Sequence, residues 1–367
     1  MDSKQRILTA LECGVPDRIP TFELLIDQSS ILKLSKLLLK GSININDESI
    51  MATKTRFGEE SQDILDYLCL IAEKMDLDSL TTYISTDIKP VKDNIAIDRF
   101  GTKYHLSTHG QPLPFEGPIN DINDTIHFDM TKKIYKSDFT GPEYVVKRTG
   151  KKKAVFLLIS DPFKLSWKLR GGMEKLLLDY AVSPKLVHKL QSITTQYNLA
   201  AIEYASNIGI DAIAVEGDLA GNETLLFSPK HFKEYIKPYL QEIVDFAHQK
   251  KLKIIKHSDG NIWQILDDLV EIGFDGIHPI QPQCMDIGQV KKYLKGKACI
   301  IGNIDCEELL PFGSAFEVKQ IVKKTIEIAA PGGGYIISSS NSIHPGVKPE
   351  NFIAMIEAVH EYGWYNS

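Results

Sequence analysis

Short runs of apolar, often β-branched residues recur along the chain. Each ends on a polar tip and is followed by a stretch with apolar residues three and four apart. This alternation predicts strands separated by helices. Eight strands are expected, at 18–25, 79–85, 154–160, 212–216, 253–256, 276–280, 298–301 and 335–338. The clearest helical stretches are 59–75, 173–208, 229–249, 263–272, 316–329 and 349–362. Eight strands alternating with helices predict an α/β fold closed as a (β/α)₈ TIM barrel. The rival is an open doubly wound sheet, but no GxGxxG follows the first strand. Residues 86–152 break the rhythm. They are rich in Pro, Gly, Asp and Thr, with short alternating runs at 98–106 and 144–148. They read as a β-rich insertion between strands two and three, either covering the barrel mouth or forming an elaborated surface loop. Residues 1–367 are read as one domain with this insertion.

Composition narrows the function classes. A net charge of −6 and a pI near 6.0 argue against nucleic acid or an anionic membrane as the main partner. No apolar run reaches the ~18 residues of a membrane span, and the first twenty residues lack the apolar core of a secretory signal. Five cysteines without a CxxC fit a reduced, cytoplasmic setting better than a disulfide scaffold.

In such a barrel the reactive side chains stand at the C-terminal ends of the strands. The polar tips are Glu23, Asp161, Glu216, Asp218, His257, Asp259, His278, Gln281, Asn303, Asp305 and Asn341. His257 and Asp259, two residues apart, suit zinc or another borderline divalent ion, with Glu216 or Asp218 completing the set. Alternatively, His257 bonds a loop carbonyl and Asp259 caps the next helix. Two carboxylates at Glu216 and Asp218 can bind a cation or raise one pKa for acid catalysis. His278 is either a further ligand or a core histidine. Cys284 and Cys306 can be ligands or buried structural thiols.

Several segments, in order, resemble the uroporphyrinogen decarboxylase superfamily: RILTALECGVPDRIP (6–20), FSPKHFKEYIKPYLQEIV (227–244), HSDGNI (257–262), IGFDGIHPIQP (272–282), GNID (302–305), PGGGYIISSSNSI (331–343) and KPENFIAMIEAVHEYG (348–363). The resemblance implies the barrel and one of two chemistries. One is cofactor-free decarboxylation of uroporphyrinogen. The other is methyl transfer to or from a corrinoid protein, usually with zinc. Uroporphyrinogen carries eight carboxylates and calls for arginines. This chain has six arginines, none after Arg170, and the segment after strand one is apolar and acidic (FELLID, 22–27). The thiol-activating methyltransferases carry His-x-Cys where His257-x-Asp259 stands, and a second cysteine near Asn341 or Ser342. A carboxylate in place of a thiolate gives a harder site. The expectation is therefore a zinc-dependent methyltransferase that moves a methyl group from a small O- or N-methyl donor to a corrinoid protein. Decarboxylation and methylcorrinoid-to-thiol transfer are the alternatives. The residues expected to act are Glu216, Asp218, His257 and Asn341 in catalysis, His257, Asp259, Glu216 and His278 on the metal, and Asn303, Asp305 and Gln281 toward the corrinoid. The resemblance also allows a homodimer.

Overall fold

A computed structural model describes residues 1–39, 62–84, 88–92, 94–106 and 112–365. Seven parallel strands form one sheet in the order β1 (Ser79–Tyr83), β6 (Ala154–Ser160), β7 (Ala212–Glu216), β8 (Lys253–His257), β9 (Gly276–His278), β10 (Cys299–Ile301) and β11 (Tyr335–Ile336). The longest, β6 and β7, are nearly continuous apolar runs because helices cover one face and an inner core fills the other. That inner core joins Phe22, Phe156, Ala214, Ile255, Ile301 and Ile336, and is closed below by Ile7 and Leu11 of the helix Ser3–Leu11. Four short antiparallel strands, β2 (Lys89–Lys92), β3 (Ile95–Ile97), β4 (Lys103–His105) and β5 (Leu113–Glu116), form a second sheet between β1 and β6 in sequence.

The expected strand at 18–25 is not a regular strand. Thr21 makes an isolated parallel bridge to Ile337, and Ile26 makes one to Ile343. On the β1 side, side chains replace the backbone ladder. Thr21 N donates to Asp78 Oδ2 (3.1 Å), Ser79 Oγ to the Thr21 carbonyl (3.0 Å) and Thr81 Oγ1 to the Glu23 carbonyl (2.6 Å). Pro20 has no N–H to give a ladder. The segment 144–148 is helical rather than extended, within Thr140–Arg148. Its buried residues Pro142, Val145 and Val146 recur at helical spacing, and Pro142 suits a first turn. The stretch 173–208 divides at Ser183–Pro184 into Met173–Val182 and Pro184–Ile208. The stretch 229–249 carries a π turn, Phe232–Ile236, just before Pro238 removes a helical donor. The first residues of the helix expected at 59–75, together with residue 85 of the second strand and residues 86–87, 93 and 107–111 of the insertion, lie outside the described residues. No helix among the described residues is long and apolar enough to cross a membrane.

A buried charge network fastens the irregular edge. Asp78, with no exposed side-chain surface, accepts from Arg6 Nη1 (3.0 Å) and Arg18 Nη2 (3.2 Å). One carboxylate thereby joins the N-terminal helix, the 18–21 segment and the start of β1. Asp78→Ala would take away the buried carboxylate that Arg6 and Arg18 share and leave them only the more exposed Asp17 and Asp76, so it should destabilise by about 2–3 kcal/mol. Denaturant unfolding of wild type and variant measures this. A loss below about 1 kcal/mol, the ordinary effect of a point substitution, would show that the network does not hold the edge.

Candidate functional site

The parallel register sets one row of polar side chains across the C-terminal ends of four strands: Ser160, Glu216, His257 and His278 are in-register neighbours. Residues at equal register share a face of the sheet, and two neighbouring pairs in the row touch. Ser160 Oγ donates to Glu216 Oε1 at 2.6 Å, and the Nδ1 atoms of His257 and His278 are 2.8 Å apart. Two residues beyond β7 and β8, Asp218 and Asp259 turn back toward His257. Its Nε2 lies 3.7 Å from Asp218 Oδ1 and 3.8 Å from Asp259 Oδ1.

The loop that presents Asp218 is fixed from beneath. Asp161, at the end of β6, caps the helix Pro162–Arg170 through Lys164 N (2.7 Å) and pairs with Lys256 (2.9 Å). Both side chains are wholly buried. The Lys256 ammonium also donates to the carbonyls of Gly217 (2.7 Å) and His257 (2.9 Å). Gly217 sits so close that a Cβ would fall 2.4 Å from the Asp161 carboxyl carbon. Asp259 is held by Asn341, whose Nδ2 donates to Oδ2 at 2.6 Å, while Asp259 N donates to Asp218 Oδ1 at 3.0 Å.

The histidine pair has an order. Ser338 Oγ donates to the Ser339 carbonyl (2.9 Å), so it is the acceptor for His278 Nε2 (3.1 Å). Burial, and next the neighbouring His257, hold the His278 pKa well below its usual value. A neutral His278 protonated on Nε2 must accept at Nδ1. The network therefore places a proton on His257 Nδ1 and turns Nε2 toward the two acids. A second-shell partner commonly orients a metal-binding histidine in this way.

Asp218, His257 and Asp259 can offer ligand atoms within 4.8 Å of one another. Asp259 Oδ1 is buried and has no hydrogen-bond partner. Burial, and then the charge of Asp218, push the Asp259 pKa up to about 7. Each feature is unfavourable for the protein alone, and a cation would relieve both. Bonds of about 2.0–2.1 Å in a tetrahedral zinc site place ligand atoms ~3.4 Å apart, close to the 3.7 and 3.8 Å found here. One imidazole and two carboxylates thus fit a divalent ion with an open position for substrate.

Other expected residues stand elsewhere. Glu216 does not join this set. It is ion-paired with Lys164, and although burial alone would raise its pKa, Lys164 and Lys168 bring it down to about 2. His278 supports His257 from behind instead of facing the acids. Gln281 Oε1 accepts from Gly260 N (2.7 Å), Asn303 Nδ2 donates to the Ile280 carbonyl (2.8 Å), and Asp305 Oδ1 accepts from Glu307 N (2.8 Å). These three brace loops around the site. Cys306 is buried, which pushes its thiol up to about 11. Glu23, buried and bonded by Ser339 N (3.1 Å) and Ser339 Oγ (2.5 Å), is raised by burial to about 8.

Above the acids opens a cavity of about 230 Å³. Asp218, His257, Asn341 and Glu216 line it together with Phe100, Tyr104, Tyr197 and Met130, so the small antiparallel sheet contributes to its wall. Among the described residues no arginine lines it, but Lys164 and Lys168 do. The sequence reading did not place these lysines. Their helix is flanked by apolar residues, and a Lys at four-residue spacing ordinarily marks a solvated face.

A seven-stranded parallel sheet with a polar cluster beyond its strand ends defines an α/β enzyme scaffold. The uroporphyrinogen decarboxylase family profile matches residues 96–362, and the chain belongs to that family. Curated relatives include the uroporphyrinogen decarboxylase of Thioalkalivibrio sulfidiphilus, 24% identical over 185 residues, with 49% of this chain and 50% of that protein covered. They also include the methylcobamide:CoM methyltransferase of Methanosarcina barkeri, 28% identical over 166 residues, with 44% and 46% covered. The chain thus spans about half the length of the curated relatives it matches. A solved methyltransferase from Methanosarcina mazei shares the fold, with a TM-score of 0.74 over 99% of both chains at 17% identity.

Lys256→Met should destabilise by about 3–5 kcal/mol, because it strands the Asp161 carboxylate in the interior, and adding Asp161→Asn should recover part of that loss. Denaturant midpoints of the two variants decide it; a double variant no better than the single would refute the pairing. Glu23 predicts a pH effect. Its folded pKa of about 8 lies above the usual 4.5, so its protonated form is the stable one. The contribution is complete below about pH 4.5 and is lost as pH rises through 8, at up to roughly 1.4 kcal/mol per unit. Glu23→Gln should flatten the fall in stability between pH 5 and 8, and an unchanged slope in urea unfolding would rule this out.

Proposed function

We propose that the protein is a metal-dependent methyltransferase that moves a methyl group from a small O- or N-methyl donor to the corrinoid of a partner protein. The observation that carries this reading is the convergence of His257 Nε2, Asp218 Oδ1 and Asp259 Oδ1, the last without a hydrogen-bond partner, at the edge of a cavity lined by no arginine among the described residues. Those three residues would hold zinc. The ion would supply Lewis acidity toward the donor oxygen or nitrogen, so that the bonding pair stays on that atom as the methyl group departs.

The chain's own residues prepare this. His278 fixes the ring face that His257 presents, and Asn341 fixes the rotation of Asp259. The apolar walls exclude water, which strengthens electrostatic interactions within the cavity. The partner's corrinoid would approach at the cavity mouth. Thr21–Ile26 would serve as the eighth stave that completes the barrel, since its bridges run parallel to the residues after β11 and Phe22 and Leu24 belong to the inner core.

The family also contains the decarboxylases, but a polycarboxylate calls for guanidinium groups. Here Arg99 and Arg170 are committed to Asp138 and Asp179, and Arg6 and Arg18 to Asp78. Transfer to a thiol is less well supported, because the ligand set is carboxylate-rich and suits oxygen or nitrogen better than sulfur.

Purified protein should carry close to one zinc per chain by elemental analysis, and His257→Ala or Asp218→Ala should lose most of it. Both variants should also lose donor-dependent methylation of a corrinoid protein by at least a hundredfold, followed by the corrinoid's absorption. Metal-free protein that still demethylates its donor would overturn the metal role.

A further inference from the structure

The cavity is lined by an ammonium, Lys168, that no hydrogen bond or ion pair from the described residues engages. Lys164 and Lys168 lie on the helix Pro162–Arg170, four residues and hence about 6 Å apart along it, and both line the cavity. Lys164 is ion-paired with Glu216. Lys168 makes no side-chain hydrogen bond or ion pair with the described residues. Its acidic neighbours are already engaged. Asp98 accepts from the backbone N–H groups of Phe100, Gly101 and Thr102 at 2.9 Å each, and from the Tyr104 hydroxyl at 2.7 Å. Asp161 is sealed against Lys256, and Glu216 is shared between Lys164 and Ser160. Burial, and next the charge of Lys164, bring the Lys168 pKa down to about 8 against the opposing pull of Glu216, Asp98 and Asp161. Around it stand Phe100, Tyr104, Tyr197 and Leu169, which suit a flat apolar body.

We infer that Lys168 anchors the substrate's carboxylate, so that the methyl donor is a small anionic molecule whose apolar, preferably aromatic, body lies along Phe100, Tyr104 and Tyr197 with its methyl group toward His257. The inference deepens the proposed function in naming the donor class, but the anion site itself rests only on the cavity. The charge of Lys164 is spent on Glu216, so Lys168 is where a single carboxylate gains most. The contact is charge-assisted and sheltered from water, which makes it strong.

Isothermal titration of the full chain with 4-methoxybenzoate and with neutral 4-methoxybenzamide tests this. The wild type should bind the acid at least tenfold more tightly than the amide. Lys168→Met should abolish the preference, and Lys168→Arg should keep most of it. Far-ultraviolet circular dichroism and a thermal melt would confirm that each variant is folded; if Lys168→Met is not, Lys168→Gln takes its place. Equal binding of acid and amide, no binding of the acid, or a folded Lys168→Met that still prefers the acid would each overturn the anchor. Retained preference in a protein that transfers no methyl group would overturn the proposed reaction and leave the anchor standing.

Discussion

The site depends on one buried ion pair. Asp161 and Lys256 are both without solvent exposure, and two isolated charges in such surroundings would be strongly disfavoured. They persist because every direction is filled. Asp161 gives one oxygen to the helix cap and the other to the ammonium, and Lys256 spends its remaining protons on the carbonyls of Gly217 and His257. Those carbonyls belong to the strand ends that carry the chemistry. The pair therefore acts less as a source of stability than as a fixed post to which β7 and β8 are tied at equal height. Gly217 belongs to the same device, since a side chain there would meet the Asp161 carboxyl group and push the Asp218 loop outward.

Above that post, two acids are brought together at some cost. Asp259 is raised toward neutrality by burial and by Asp218, and one of its oxygens has no hydrogen-bond partner. A protein selected for stability alone would have no reason to keep this arrangement, and groups with strongly perturbed pKa values cluster at functional sites. The histidine pair adds direction. Because Ser338 and Ser339 set the proton on His278, and His278 sets the proton on His257, the ring face turned to the acids is determined four residues deep in the fold.

Much of this was legible in the sequence, and the misses have physical causes. β6 and β7 lie at the expected bounds because burial on both faces writes an uninterrupted apolar run. The 18–25 segment was misjudged because side chains of Asp78, Ser79 and Thr81 supply hydrogen bonds that pattern reading assigns to backbone. Two neighbouring valines made 144–148 look extended, whereas Pro142 three residues earlier marked a helix. Strand-tip reasoning named His257, Asp259 and Asp218, whose side chains the structure brings together. It did not separate Asp218 from Glu216, because that choice depends on Ser160 and Lys164, which register and a helix turn bring to Glu216 from 56 and 52 residues away. Lys168 left no signal at all. A lysine on a helix reads as solvated, and only the small sheet packed over its turn, with the Thr102 hydroxyl on the Lys168 carbonyl, encloses it.

The two ends of the cavity answer different needs, and their separation is itself an argument about mechanism. Near His257 the acids outnumber the cations, which suits a metal ion but would repel an anionic substrate group. Lys168 has no ion-pair partner among the described residues, and Phe100, Tyr104 and Tyr197 share the cavity lining with it. Lys164 and Glu216 form a neutralised pair on the same lining. On the proposed reading, a donor with its charge at one end and its methyl group at the other would be held in one orientation by these charges. The apolar contacts are then left to exclude water, where Coulombic terms act with the least screening.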